Sequence, residues 1–196
     1  MLPARTAVRL VRFDALSQAD AASVRADVRE ICVATAAPQV ADTLSAPDAR
    51  AAFLERWLER YLDRWADYAF VAAGPDPETG ARRAVGYIVG CPRPIPDAVI
   101  PFAKDAVWRF ADQLPLYPAH LHINCAASAR GRGLGKQLKS ALVARLRADN
   151  NSAVRGLHAI TAQGSANNHF YRAAGLTEIG PRSLGATPLL LYGERW

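Results

Sequence analysis

The segment HLHINCAASARGRGLGKQLKSALVARLRAD, residues 120–149, constrains the fold more than any other part of the chain. Alternation over residues 120–125 reads as a strand, while Leu134, Leu138, Ala141, Leu142 and Leu146 recur at helical spacing. Between the two, Gly131, Gly133 and Gly135 mark a turn that also carries Arg130 and Arg132. Without Cβ atoms the chain bends sharply and a ligand can come close to the backbone. The start of the helix leaves several N–H groups unpaired, and its dipole attracts negative charge. The arrangement reads as an anion site suited to a pyrophosphate.

The charge pattern agrees. Between Gln113 and Thr177 the only acid is Asp149, against Arg130, Arg132, Lys136, Lys139, Arg145, Arg147, Arg155 and Arg172. The whole chain carries 24 Lys and Arg against 18 Asp and Glu, so the excess is local. Such a field suits a phosphorylated small ligand or nucleic acid, and a solvated face without a partner produces the same excess. Nucleic acid ranks last, because no aromatics interleave with these bases and Leu-rich core positions separate them.

A chain of 196 residues holds one α/β domain with a real core, so residues 1–196 are expected to form a single domain. Cys32, Cys91 and Cys125 are odd in number and widely spaced, which reads as reduced thiols rather than a disulfide framework or zinc site. The start, MLPARTAVRLVRF, has no continuous apolar stretch, and no apolar run approaches the ~18 residues of a membrane span. The expectation is a soluble cytoplasmic protein with no membrane partner.

Along the chain, residues 7–13 alternate as a strand, and Ser17 with Asp20 resembles a capping box ahead of a stripe of Val24, Val28, Ile31 and Cys32. Phe53, Leu54, Trp57, Leu58, Tyr61, Leu62 and Trp65 predict an amphipathic helix whose aromatics pack in the core. Residues 68–73 and 84–90 read as a hairpin around GPDPETGARR. Six prolines between 92 and 118 mark an insertion-like surface connection with a helical piece over 102–114. Strands follow over 156–162, 176–179 and 189–192, with a helix over 167–174. The fold class expected is α/β (α+β mixed), a mixed, mostly antiparallel sheet of six to seven strands with helices on both faces.

Two familiar phosphate motifs do not fit. A Walker A loop ends in Gly-Lys-Ser/Thr, where this chain has Gly-Leu-Gly-Lys-Gln, and the dinucleotide fingerprint needs Gly-x-Gly-x-x-Gly early in a βαβ unit. Arg130-x-x-Gly133-x-Gly135 instead resembles the Arg/Gln-x-x-Gly-x-Gly/Ala signature of the GCN5-related N-acetyltransferases (GNAT). HFYRAAGL, with Tyr171, occupies the place of that family's short helix and tyrosine. The resemblance is strongest over residues 117–179. Within the family, YPAHLHINCAASARGRGLG looks most like the acetyltransferase-like domain of O-GlcNAcases and related bacterial acetyltransferases.

The resemblance implies an acetyl-CoA-dependent N-acetyltransferase without a metal. Its acceptor is an amine of a small molecule or peptide, attacked directly in a ternary complex. Coenzyme A contacts are then expected from Asn124, Cys125, Ala126, Ala127, Arg130, Gly131, Arg132, Gly133, Leu134, Gly135 and Lys136, with Asn167, Asn168 and Tyr171. Pantetheine is expected between splayed fourth and fifth strands, and a monomer or homodimer is expected. Tyr171 is the expected general acid toward the departing thiolate, with core packing as its plainer role. Relatives carry an acid where Asn124 stands, and Asn accepts no proton near neutrality. His122 or His120, on the same strand face as Asn124, could act as base through water, or merely line the site. His120, His122 and His158 form a less favoured metal set. Gly164 stands where the family has Asn. The alternative function is a catalytically silent acyl-CoA sensor or interaction module, which the missing acid supports.

Overall fold

In a computed structural model the described residues are 8–75, 82–93, 104–149 and 154–196. Residues 76–81 of the expected turn, and Pro94, Pro96, Pro101 and Phe102 of the proline-rich connection, lie outside them. Among the described residues there are seven strands: β1 Arg9–Arg12, β2 Ala69–Pro75, β3 Arg82–Cys91, β4 Ala119–Cys125, β5 Gly156–Ala162, β6 Thr177–Leu184 and β7 Thr187–Arg195. They are hydrogen-bonded in the order β1-β2-β3-β4-β5-β7-β6. β1–β2, β2–β3, β5–β7 and β6–β7 pair antiparallel, and β4–β5 pairs parallel. The helices are α1 Gln18–Ala34, α2 Pro38–Ala41, α3 Pro47–Leu54, α4 Arg60–Arg64, α5 Lys104–Trp108, α6 Leu134–Ala148 and α7 Ala166–Ala173. This is the mixed, mostly antiparallel sheet that the sequence predicts. Contacts divide the chain into two units, residues 1–89 with 122–142 and residues 90–121 with 143–196.

In the first unit α1 begins at Ser17, whose hydroxyl accepts from the Asp20 amide at 3.2 Å and meets its carboxylate at 2.7 Å. A cap of this kind satisfies one orphan donor and is worth about 1 kcal/mol. Val28, Ile31 and Cys32 are buried along its inner face. Asp27, on the same helix, accepts from the Ala84 amide at 2.8 Å and from Arg83 at 2.9 Å, which tethers the start of β3. The expected aromatic helix is interrupted. α3 passes through a π-helical turn over Glu55–Glu59 into α4, which ends before Trp65. The extra residue of that turn lets Leu54, Leu58, Tyr61 and Leu62 all reach the core. It also buries Glu59, which receives Arg25 and Arg29 from α1. Each fully buried Leu in such a core stabilises by about 1.5–3 kcal/mol.

In the second unit β5 pairs with β7 over its full length, and β6 closes a hairpin on β7 through Gly185, at φ 58°. Phe110, Leu189 and Leu191 form its core, flanked by Tyr117, Ile160 and Ile179. β6 and β7 run further than residues 176–179 and 189–192. Along β6 the exposed Glu178, Pro181 and Ser183 hide the alternation. Gly193 admits the Tyr117 ring, since a Cβ there would lie 2.4 Å from it.

Candidate functional site

The turn between β4 and α6 is built as the glycines suggest, with one difference. Gly131 and Gly133 take φ of 72° and 76°, the left-handed region that favours glycine. Gly135 does not. It lies inside the first turn of α6, so its use there is not conformational. The first bond of the helical ladder runs from the Gln137 amide to the Gly133 carbonyl, leaving the amides of residues 133–136 ahead of it. A Cβ built at Gly131 or Gly133 meets no atom within 4 Å, so the protein's own side chains do not seal the bend. Arg132 and Lys136 are exposed beside it. Arg130 donates to the Cys125 carbonyl at 3.1 Å, which pins the loop to the end of β4.

Upstream of this bend a cavity of about 230 Å3 lies between the end of α1, the start of β3 and residues 126–130. Ile31, Thr35, Val85, Ala127, Ser128 and Arg130 are among its lining. The Ala126 amide donates to the Val85 carbonyl at 3.0 Å, closing the cavity floor. Gly86 allows this closeness, because a Cβ there would lie 3.0 Å from the Cys125 sulfur and 3.3 Å from the Asn124 carbonyl.

Asn124, Cys125 and His122 belong to the same unit as the turn. The Asn124 amide nitrogen donates to the Tyr87 hydroxyl oxygen at 2.8 Å and lies 3.4 Å from His122 Nδ1. The His122 ring rests on Trp57, with centroids 4.9 Å apart. Burial, reinforced by the Arg56 charge, pushes its pKa down to about 4. Cys125 is half-buried, and burial raises its thiol. Tyr87 and Trp57 are the partners that sequence reasoning did not connect to Asn124 and His122. Trp57 is read there as part of the packing stripe.

His120, Asn167, Asn168 and Tyr171 lie in the second unit. β4 pairs with β5 over two residues, Ala119 with Leu157 and His120 with His158. His120 is buried with its ring 4.9 Å from His158, so in this unit it faces another imidazole. His158 Nδ1 donates to the Tyr117 carbonyl at 2.6 Å, which leaves the lone pair on Nε2, buried and without a hydrogen-bond partner. Burial pushes the His158 pKa down to about 4. Asn168 is buried and donates to the Ala162 carbonyl at 3.3 Å, closing the loop before α7. Asn167 is exposed.

Tyr171 is 6% exposed and stacks 5.3 Å from Tyr192, whose hydroxyl donates to Glu178 at 2.8 Å. Its own hydroxyl makes no hydrogen bond to a described residue, and burial raises its pKa. A phenol of this kind keeps its proton throughout the neutral range. Among the described residues no three His, Cys, Asp or Glu side chains group to hold a metal ion. No helix there is long and apolar enough to cross a membrane.

The strand order and the glycine turn after β4 define the GNAT fold, the fold of the GCN5-related N-acetyltransferases. The crystal structure of SsHAT is similar at TM-score 0.68 and 20% identity, over 96% of this chain and 98% of that one. The NatC complex bound to Gag peptide and CoA is similar at 0.61 and 11%, over 96% and 98%. The structure of yncA from Salmonella typhimurium with its cofactor acetyl-CoA is similar at 0.51 and 16%, over 97% and 94%. No protein-family model matches the sequence, and no curated protein matches it.

Proposed function

We propose that the protein is an acetyl-CoA-dependent N-acetyltransferase. The observation that carries this reading is the open bend, where two left-handed glycines and the unladdered amides of residues 133–136 stand beside Arg132 and Lys136. The fold it shares with structures holding acetyl-CoA or CoA supports the same ligand.

In this reading the diphosphate accepts hydrogen bonds from the amides around Gly131, Arg132, Gly133, Leu134, Gly135 and Lys136, with Arg130 steadying the loop. Backbone groups of Asn124, Cys125, Ala126 and Ala127 receive the pantetheine amides. Asn167 and Asn168 stand near the coenzyme, Asn168 holding its loop. The acetyl thioester supplies an electrophilic carbonyl. The amine attacks it directly, so no cysteine nucleophile is needed and Cys125 packs. Tyr171 gives its proton to the departing thiolate. Its hydroxyl bonds to no described residue, which supports this role. His122, His120 and Asn124 are the polar groups of β4 assigned to the acceptor side.

Release of free thiol from acetyl-CoA, measured over a panel of small-molecule and peptide amines, tests the proposal. Amine-dependent release supports it. Coenzyme binding without turnover of any amine would instead favour a silent acyl-CoA module, the reading to which Asn124 in place of an acid lends weight.

A further inference from the structure

The hydrogen bonds of Asn124 fix more than its own position. An amide nitrogen only donates, so the contact to His122 requires the Nδ1 lone pair to be the acceptor. The proton of the neutral imidazole therefore sits on Nε2, which has no lone pair left to take a proton from an amine. Asn124 spends its nitrogen on Tyr87 and His122, and Tyr87 lies beside Cys32. Its Oδ1 accepts no bond from a described residue.

We propose, building on the acetyltransferase reading, that Asn124 Oδ1 orients the acceptor nitrogen and that this nitrogen arrives already unprotonated. The substrate is then a weakly basic amine, such as a peptide α-amine, rather than a lysine side chain.

Among the described residues of this unit the groups facing this pair offer no free base, and Asp27 and Glu30 of the neighbouring cavity are held by Arg83. On the α3–α4 segment Arg56 is cationic and Trp57 covers the His122 ring, while Glu59 is bound by Arg25 and Arg29. On α1, burial pushes the Cys32 thiol up to about 11, and on β3 burial raises Tyr87 well above a phenol's usual range. Both keep their protons near neutrality, as does Cys125 at the end of β4, whose thiol burial also raises. Protonating His122 at Nδ1 would break the Asn124 contact and set a second cation beside Arg56.

The chemistry balances without a base. The nitrogen lone pair forms the C–N bond, the tetrahedral adduct collapses, and the C–S bond breaks. Nitrogen loses one proton and sulfur gains one, while any ammonium proton has already gone to water. At pH 7.5 about a third of an α-amine is neutral, against about one part in a thousand of a lysine side chain.

The test measures kcat/KM against pH for primary amines of graded basicity, from arylamines through α-amines to alkylamines, with the intact protein and acetyl-CoA. The expected rising limb moves with each amine's own pKa and flattens when rates are expressed per neutral amine. A limb fixed at one pH for every amine overturns the proposal, because an enzyme group then accepts the proton. Asn124→Asp supplies a second arm. The new carboxylate is expected to add an inflection common to all amines and to raise the alkylamine rate relative to the arylamine rate at least tenfold. An unchanged profile and rate ratio in a folded Asn124→Asp protein overturns the placement of Asn124. Absence of turnover with any amine while acetyl-CoA still binds overturns the substrate class alone. Absence of acetyl-CoA binding overturns the reading beneath it.

Discussion

The side-chain amide of Asn124 donates to the phenol oxygen of Tyr87 at 2.8 Å across 37 residues of sequence. This bond joins β3 to the end of β4, one residue before the half-buried Cys125 and six before Arg130. It orients the polar edge of a strand whose continuation becomes the glycine bend. The polar end of β4 and the glycine bend are thus set by one short run of chain.

Tyr171→Phe tests the proposed proton donor. The hydroxyl bonds to no described residue, so its loss should leave the melting temperature within about 2 °C. The reading requires kcat for thiol release to fall at least about 100-fold while the KM for acetyl-CoA changes little. An unaltered kcat would remove Tyr171 from the chemistry.

Glu59 is 8% exposed and holds both Arg25 and Arg29. Glu59→Ala leaves the half-exposed Arg29 without this carboxylate and Arg25 with Asp63 alone, and should cost about 1–2 kcal/mol in urea unfolding. Glu59→Asp, too short to span both guanidinium groups, should fall between this variant and wild type. A cost under about 0.5 kcal/mol for Glu59→Ala would show that the pair is merely a surface feature.

His158 makes folding pH-dependent. Its folded pKa, about 4, lies below the ordinary value of 6.5, so the unfolded chain binds the extra proton between these limits. Its contribution to stability is complete above pH 6.5, fades as pH falls toward 4, and changes no further below that. The limiting slope is about 1.4 kcal/mol per pH unit. Urea unfolding between pH 7 and 4 should show this loss together with a like one from His122, and His158→Gln should remove about half of the combined slope. An identical slope in the variant would place the effect elsewhere.

Local signals in the sequence mark local structure well. Ser17 and Asp20 announce the start of α1 because a cap is made by residues three apart. The largely apolar run GLHAITA gives the bounds of β5, and the glycines give the bend. The π-turn is hidden because one inserted residue leaves Leu54, Leu58 and Leu62 still evenly apolar. The full length of β6 is hidden because an edge strand pairs on one side, and its exposed Pro181 and Ser183 carry no core pattern. At the site, residue types on β4 are legible. Their states are not, since these depend on Tyr87, Trp57 and Arg56, which lie tens of residues away in sequence.

Calorimetric titration of coenzyme A into the wild type, Gly133→Ala and Gly185→Ala tests the central claim most directly. Both glycines have positive φ and open surroundings, so both substitutions should cost a similar ~1–2 kcal/mol of strain. Only Gly133 lies where the proposed function puts the diphosphate. The account predicts wild-type binding with Kd of about 1 μM to 1 mM, the usual range for enzyme substrates, at least tenfold weakening in Gly133→Ala, and none in Gly185→Ala. Equal binding by all three proteins, or none by the wild type, would contradict it.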